Sequence, residues 1–216
     1  MTKSILPKLR NIKAVIFDMD GTLCIPQPWM FPAMRQAINL HDNSMDILTF
    51  IDLLPSDAEK QWAHQQLSKV EFKAMNEMVP QPGMSKLFNY LNERTIAKSI
   101  CTRNLITPVN YLIDNFVPVP LNEFKHIVTR EFRPTKPHPD PLLHIIQQLS
   151  LNPCEVMMVG DSYDDMKSGR QAGCITILLR NNINTHLTSE HQDLIDETVS
   201  DLSEIIDIIE CLSANN

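Results

Sequence analysis

The chain has 216 residues and a formal net charge of −7, with 43% hydrophobic and 21% charged residues. This length and composition suit a globular protein with one sizeable core, or with a core and a small accessory domain, and they exclude a wholly disordered chain. A nucleic-acid-binding protein is normally basic, and no apolar run here approaches the roughly 20 residues that span a bilayer. We therefore predict neither a nucleic-acid partner nor a membrane segment.

The cysteines and histidines show neither zinc-binding nor disulfide patterns. The five cysteines are odd in number and scattered, and no pair has the C-x-x-C spacing of a metal or redox site. No two histidines have H-x-x-x-H spacing, so a zinc site has no support. Reduced thiols, and a start without an apolar stretch of signal-peptide length, predict a protein of the cytoplasm or of the cytoplasm and nucleus.

Five short apolar runs have the length of buried strands and are bounded by polar residues, proline or glycine. They cover residues 13–17, 95–101, 126–129, 155–159 and 175–179. Helical spacing of apolar residues predicts helices over 84–92, 141–149 and 164–172, and Asp201 with Glu204 resembles a capping box that opens a last helix. Because strands and helices alternate, we expect an α/β fold with a doubly wound, Rossmann-like parallel sheet.

Residues 26–82 interrupt this alternation. Nothing there has the pattern of a strand, whereas apolar residues such as Ala63, Leu67 and Val70 recur at helical spacing. Ser56 or Asp57 is a plausible N-cap. We predict a Rossmann-like core domain from residues 1–25 and 83–216, and a small helical domain from residues 26–82 inserted after the first strand.

Acidic residues follow the first and the fourth predicted strands. Asp18 and Asp20 come directly after the first strand, beside Gly21, and Asp161 comes directly after the fourth. Ligands bind beyond the carboxyl ends of strands in doubly wound sheets, so these carboxylates converge if the two strand ends are neighbours. Carboxylates about 4 Å apart repel by about 4 kcal/mol at an effective dielectric near 20, so such a cluster needs a cation. All-oxygen ligands favour Mg²⁺ over zinc.

Four short motifs in order resemble those of the haloacid-dehalogenase-like superfamily of phosphatases and phosphomutases. Asp-x-Asp-Gly-Thr at residues 18–22 and Gly-Asp-x-x-x-Asp at residues 160–165 are similar to its first and fourth motifs. Thr102 ends the second predicted strand, where the family has serine or threonine. Lys136 precedes Pro-x-Pro-Asp, as in the phosphoglycolate phosphatase and β-phosphoglucomutase subgroup. The resemblance covers nearly the whole chain.

The resemblance implies a Mg²⁺-dependent phosphatase that acts on a small phosphorylated metabolite through an aspartyl-phosphate. Asp18 would be the nucleophile and Asp20 the general acid and base. Thr102 would donate a hydrogen bond to the phosphoryl group, and Lys136 would neutralise its charge together with the metal. The helical insert falls where the family places its cap domain.

The family pattern also implies a set of metal ligands. The Asp18 side chain, the Asp20 backbone carbonyl and the Asp161 side chain would hold Mg²⁺. Asp165 would be a further ligand, directly or through water. Asp164 is its rival for that place, or it opens the following helix.

Gly21, Arg103 and Asn104 are the candidate substrate-binding residues. Many relatives carry asparagine directly after the motif threonine, whereas Arg103 stands between Thr102 and Asn104 in this chain. Arg103 could bind an acidic group of the substrate or pair with a local carboxylate.

A dehalogenase is excluded because those enzymes lack the second aspartate, Asp20 here. A sugar-phosphate mutase and a catalytically silent binding protein on the same fold remain as alternatives.

Overall fold

The computed structural model describes residues 11–213, and within them six strands form one parallel sheet. The strands are β1 (Ala14–Phe17), β2 (Ala97–Cys101), β3 (His126–Val128), β4 (Val156–Gly160), β5 (Ile175–Leu179) and β6 (Glu197–Val199). Their order across the sheet is β3-β2-β1-β4-β5-β6. The five predicted strands are confirmed. The three residues of β6 were not predicted, because Glu-Thr-Val lacks an apolar run.

Helices lie on both faces of this sheet, so the predicted doubly wound α/β fold is confirmed. The residues of β1, β4 and β5 are all buried, as expected for strands that are covered on both sides. The helices of this part of the chain are α4 (Met84–Glu93), α5 (Ile106–Phe116), α6 (Asp140–Gln148), α7 (Tyr163–Ala172), α8 (Leu187–Glu190) and α9 (Glu204–Ser213), with 3₁₀ turns at Pro153–Glu155 and Gln192–Leu194.

The chain divides into two compact units. One runs up to Ile25 and resumes at Pro80, and the other is Pro26–Val79. The second unit contains α1 (Met30–Ala37), α2 (Ile47–Asp52) and α3 (Asp57–Asn76), and the Ser56 side chain caps α3 by accepting the N–H of Glu59 at 3.3 Å. It has an apolar core of its own, formed by Met30, Met34, Ile38, Leu40, Ile47, Ile51, Ala63, Leu67 and Ala74. Its function as a cap stays a prediction.

The register of the central strands places the ends of β1 and β4 side by side. Phe17, the last residue of β1, pairs with Val159 of β4 and with Ile100 of β2. The N–H of Asp18 continues this ladder by donating to the Val159 carbonyl oxygen at 2.9 Å. The polar residues that follow both strands therefore emerge at the same edge of the sheet, which meets the condition under which the carboxylates were expected to converge.

Neither membrane-spanning helices nor disulfide bonds occur in the described part of the chain. No helix between residues 11 and 213 combines the length and the apolar character needed to cross a bilayer. All five cysteines lie in this range, and no S–S bond joins any of them. Cys24, Cys101 and Cys174 are buried, where a thiol packs as a small apolar side chain.

Candidate active site

A buried lysine joins two carboxylates that come from distant parts of the chain. Lys136 Nζ donates to Asp18 Oδ1 at 2.7 Å and to Asp165 Oδ1 at 2.6 Å. The Lys136 side chain is only 3% exposed. Burial by itself would lower the pKa of Lys136, but attraction to Asp165 and Asp18 outweighs it and holds the pKa above its usual value. The ammonium is therefore charged at neutral pH.

Three carboxylates converge around this lysine. Asp18, Asp161 and Asp165 each place one carboxylate oxygen within 4.8 Å of the others. Burial raises the pKa of Asp18 to about 7, although attraction to Lys136 opposes the shift. Burial, together with repulsion from Asp165 and Asp18, raises the pKa of Asp161 to about 8. Three acidic groups, of which Asp18 and Asp165 are buried and Asp161 is half-buried, thus lie in a cluster with a single ammonium. The cluster therefore lacks positive charge, and its all-oxygen donor set fits Mg²⁺.

Two glycines make this close approach possible. Gly21 has a φ of +81°, and a Cβ there would lie 2.1 Å from Asp161 Oδ2. A Cβ on Gly160 would lie 2.3 Å from the Cβ of Asp165. A side chain at either position would push a carboxylate out of the cluster, which gives a physical reason for glycine in the turn after β1 and at the end of β4.

The start of α7 fixes the orientation of Asp165. Its Oδ2 accepts the Ser162 N–H at 3.0 Å and the Ser162 hydroxyl at 2.6 Å, while the N–H of Asp165 donates back to Ser162 Oγ at 3.3 Å. This reciprocal pair is a capping box. One carboxylate oxygen of Asp165 therefore accepts hydrogen bonds at the start of α7, and the other accepts one from Lys136. Asp164 and Asp165 were the two candidates for a further metal ligand, and it is Asp165 that lies in the carboxylate cluster.

The other rival, Asp164, pairs with Arg103. Arg103 Nη1 donates to Asp164 Oδ2 at 2.6 Å, and both side chains are partly exposed. Of the two roles considered for Arg103, the structure has the pairing with a local carboxylate. The ion pair links the segment after β2 to the first turn of α7. Substrate binding by Arg103 stays a prediction.

The carboxylate of Asp20 is held by two side chains. Asn104 Nδ2 donates to Asp20 Oδ2, and Cys24 Sγ donates to Asp20 Oδ1 at 3.7 Å. Asn104 is buried, and its backbone N–H donates to Thr102 Oγ1 at 3.1 Å. Asn104, which we predicted as a substrate-binding residue, is thus turned toward the predicted acid and base. Substrate binding by Asn104 stays a prediction.

A family model described as haloacid dehalogenase-like hydrolase matches residues 12–173, which include all four motifs. The chain belongs to the haloacid dehalogenase-like hydrolase family. The family resemblance inferred from the four motifs is therefore confirmed.

The chain is similar to several proteins along most of its length. An uncharacterized hydrolase of Saccharomyces cerevisiae is 60% identical over 205 residues, covering 95% of this chain and 94% of that protein. Phosphoglycolate phosphatase of Salmonella paratyphi A is 25% identical over 207 residues, covering 79% and 82%. The crystal structure of β-phosphoglucomutase from Clostridium difficile has a TM-score of 0.72 at 17% identity, covering 94% of this chain and 98% of that chain. This last likeness shows a shared fold.

Two asparagines outside the four motifs also reach the acidic cluster of this family member. Asn181 Nδ2 donates to Asp161 Oδ2 at 2.9 Å, and Asn184 Nδ2 donates to the Asp161 carbonyl oxygen at 2.7 Å. Both residues follow β5, the sheet neighbour of β4. The rule that singled out Asp18 and Asp161, polar residues after a parallel strand, applies equally to this segment.

Proposed function

We propose that this chain is a Mg²⁺-dependent phosphatase that hydrolyses a small phosphomonoester through an aspartyl-phosphate. The observation that carries the proposal is the cluster of Asp18, Asp161 and Asp165, in which the buried Lys136 donates to Asp18 and Asp165. Phosphoglycolate phosphatases among the relatives support it. The assignment of residues 26–82 as a cap belongs to the same proposal, because the insert follows β1, where the family places its cap.

In the first half of the reaction, the Asp18 carboxylate attacks phosphorus. A bond forms between an Asp18 oxygen and phosphorus while the bond from phosphorus to the alcohol oxygen breaks, and Asp20 gives a proton to the departing oxygen. Lys136 and the Thr102 hydroxyl stabilise the phosphoryl oxygens. Mg²⁺, held by Asp18, Asp161, Asp165 and the Asp20 backbone carbonyl, would supply the remaining positive charge.

In the second half, water attacks the phosphorus of the aspartyl-phosphate. Asp20, now a carboxylate, takes the proton of this water, and the bond between phosphorus and the Asp18 oxygen breaks. Inorganic phosphate leaves, and both aspartates return to their starting states. Asp20 therefore needs a stable orientation through two proton transfers, which the hydrogen bonds from Asn104 and Cys24 supply.

Phosphate release from a panel of substrates tests the proposal. We expect the purified protein to hydrolyse a generic aryl phosphate in the presence of Mg²⁺ and to lose this activity in EDTA. A screen of metabolite phosphates would then identify the preferred substrate. Conversion of a sugar phosphate into its isomer with little free phosphate would instead indicate a mutase. Lack of turnover across the whole panel would contradict the proposal and favour a silent binding protein.

Replacement of Asn104 tests the orientation of Asp20. We expect Asn104→Ala to lower kcat by about 10-fold or more, because general acid–base catalysis contributes about 10²–10⁴-fold and depends on the position of the acid. Mg²⁺ affinity should stay unchanged, since Asn104 contacts Asp20 and not the carboxylate cluster. Asn110→Ala, at an exposed position of α5, is the control. A kcat within twofold of the wild-type value would contradict the positioning role.

A further inference from the structure

The side chains of Asn181 and Asn184 have a single orientation, because their own loop occupies both amide oxygens. Asn181 Oδ1 accepts the backbone N–H groups of Ile183 at 2.8 Å and of Asn184 at 3.2 Å. Asn184 Oδ1 accepts the N–H of Asn181 at 2.8 Å, and its Nδ2 also donates to the Leu179 carbonyl oxygen at 3.0 Å. With both oxygens used as acceptors, only the NH₂ groups can face Asp161.

Asp161 Oδ2 is confined from a second side. The backbone of Gly21 passes so close that a Cβ there would lie 2.1 Å from this oxygen. Oδ2 therefore lies between the Gly21 backbone and the Asn181 amide, whose Nδ2 is 2.9 Å away. Together, these two neighbours restrict rotation of the carboxylate about its Cβ–Cγ bond.

We propose that Asn181 is a positioning residue that makes the site selective for Mg²⁺ over larger divalent cations. The proposal rests on the proposed function. Mg²⁺ demands near-ideal octahedral geometry at about 2.0–2.1 Å, whereas Ca²⁺ accepts bidentate carboxylates at about 2.3–2.6 Å. A carboxylate that cannot rotate and already accepts an amide N–H on Oδ2 is poorly placed to bind with both oxygens. Asp161 then offers one oxygen per ion, which suits the smaller cation.

Binding of MgCl₂ and of CaCl₂ to the EDTA-treated full chain, each measured by isothermal titration calorimetry, tests this role. Mutation of a residue that orients a metal ligand typically lowers the metal affinity by about 10–100-fold. We expect Asn181→Ala to weaken Mg²⁺ binding by a factor in this range and Ca²⁺ binding much less, so that the preference for Mg²⁺ falls roughly tenfold. Asn182→Ala, an exposed position in the same loop, should leave both affinities unchanged.

Asn181→Asp is the second variant, in case the alanine variant does not fold. It keeps the oxygen that accepts the two backbone N–H groups of the loop but replaces the NH₂ donor by a second oxygen. Its added charge should raise the affinity for both ions alike. The preference for Mg²⁺ over Ca²⁺ should nevertheless fall as in the alanine variant, because the hydrogen bond that restrains the Asp161 carboxylate is again lost.

Several results would overturn the inference. An equal loss of affinity for both ions in Asn181→Ala would show that the residue only supports the loop, and unchanged affinities would show that it has no role at the site. An unchanged preference in Asn181→Asp would contradict the restraint on Asp161. If the wild type binds Mg²⁺ and Asp161→Asn does not, the proposed metal site stands whatever Asn181 does. A wild type without Mg²⁺ binding would overturn the proposed function as well.

Discussion

Asp18→Asn is expected to lower phosphatase turnover by at least about 10³-fold, because loss of a catalytic nucleophile removes most of the rate enhancement. The amide oxygen of asparagine is neutral and a much weaker nucleophile than a carboxylate. The two side chains have nearly the same shape, so the effect reports chemistry and not packing. Steady-state release of phosphate from an aryl phosphate, at saturating Mg²⁺, measures it.

Two further observations make this result specific to Asp18. Asp114→Asn, at an exposed position of α5, should leave turnover unchanged. The Asp18→Asn protein should also form no covalent phosphoprotein when acid-quenched with substrate, whereas the wild type should form an acyl phosphate on this residue. Activity of Asp18→Asn near the wild-type level would remove Asp18 as the nucleophile and with it the proposed mechanism.

Lys136→Met is expected to lower the free energy of unfolding by about 3–5 kcal/mol, because it leaves a buried charge without its partner. Lys136 is the counter-charge shared by Asp18 and Asp165, and all three side chains are almost fully buried. Methionine keeps much of the apolar volume of the lysine stem, so the loss is electrostatic in origin. Urea denaturation in EDTA measures this difference.

A surface lysine and added metal serve as controls for this prediction. Lys125 pairs with Glu123 at an exposed position, so Lys125→Met should change the free energy of unfolding by less than about 1 kcal/mol. Mg²⁺ should restore part of the stability of Lys136→Met, because it supplies positive charge to the same carboxylates. A Lys136→Met protein as stable in EDTA as the wild type would mean that Lys136 is not needed as the counter-charge.

Local residue patterns were enough to predict five of the six described strands and the acidic groups that directly follow two of them. Buried strands such as β1 and β4 are short continuous apolar runs, and this signal depends only on neighbouring residues. Asp18 and Asp161 stood out because each directly follows such a run. Parallel strands present their carboxyl ends at one edge, so the two groups were expected to converge if their strands were neighbours, and the strand order of the structure met that condition.

The partners of these acidic groups depended instead on contacts between segments far apart in the chain. Arg103 donates a hydrogen bond to Asp164, and Asn104 donates one to Asp20. Both contacts form because β1 lies between β2 and β4 in the sheet. Asn181 reaches Asp161 only because β5 is the next strand beyond β4. A hydrogen bond needs its two atoms within about 3 Å of each other in a defined direction. Spacing along the chain carries no information at that scale, so strand order, register and side-chain packing had to place these residues.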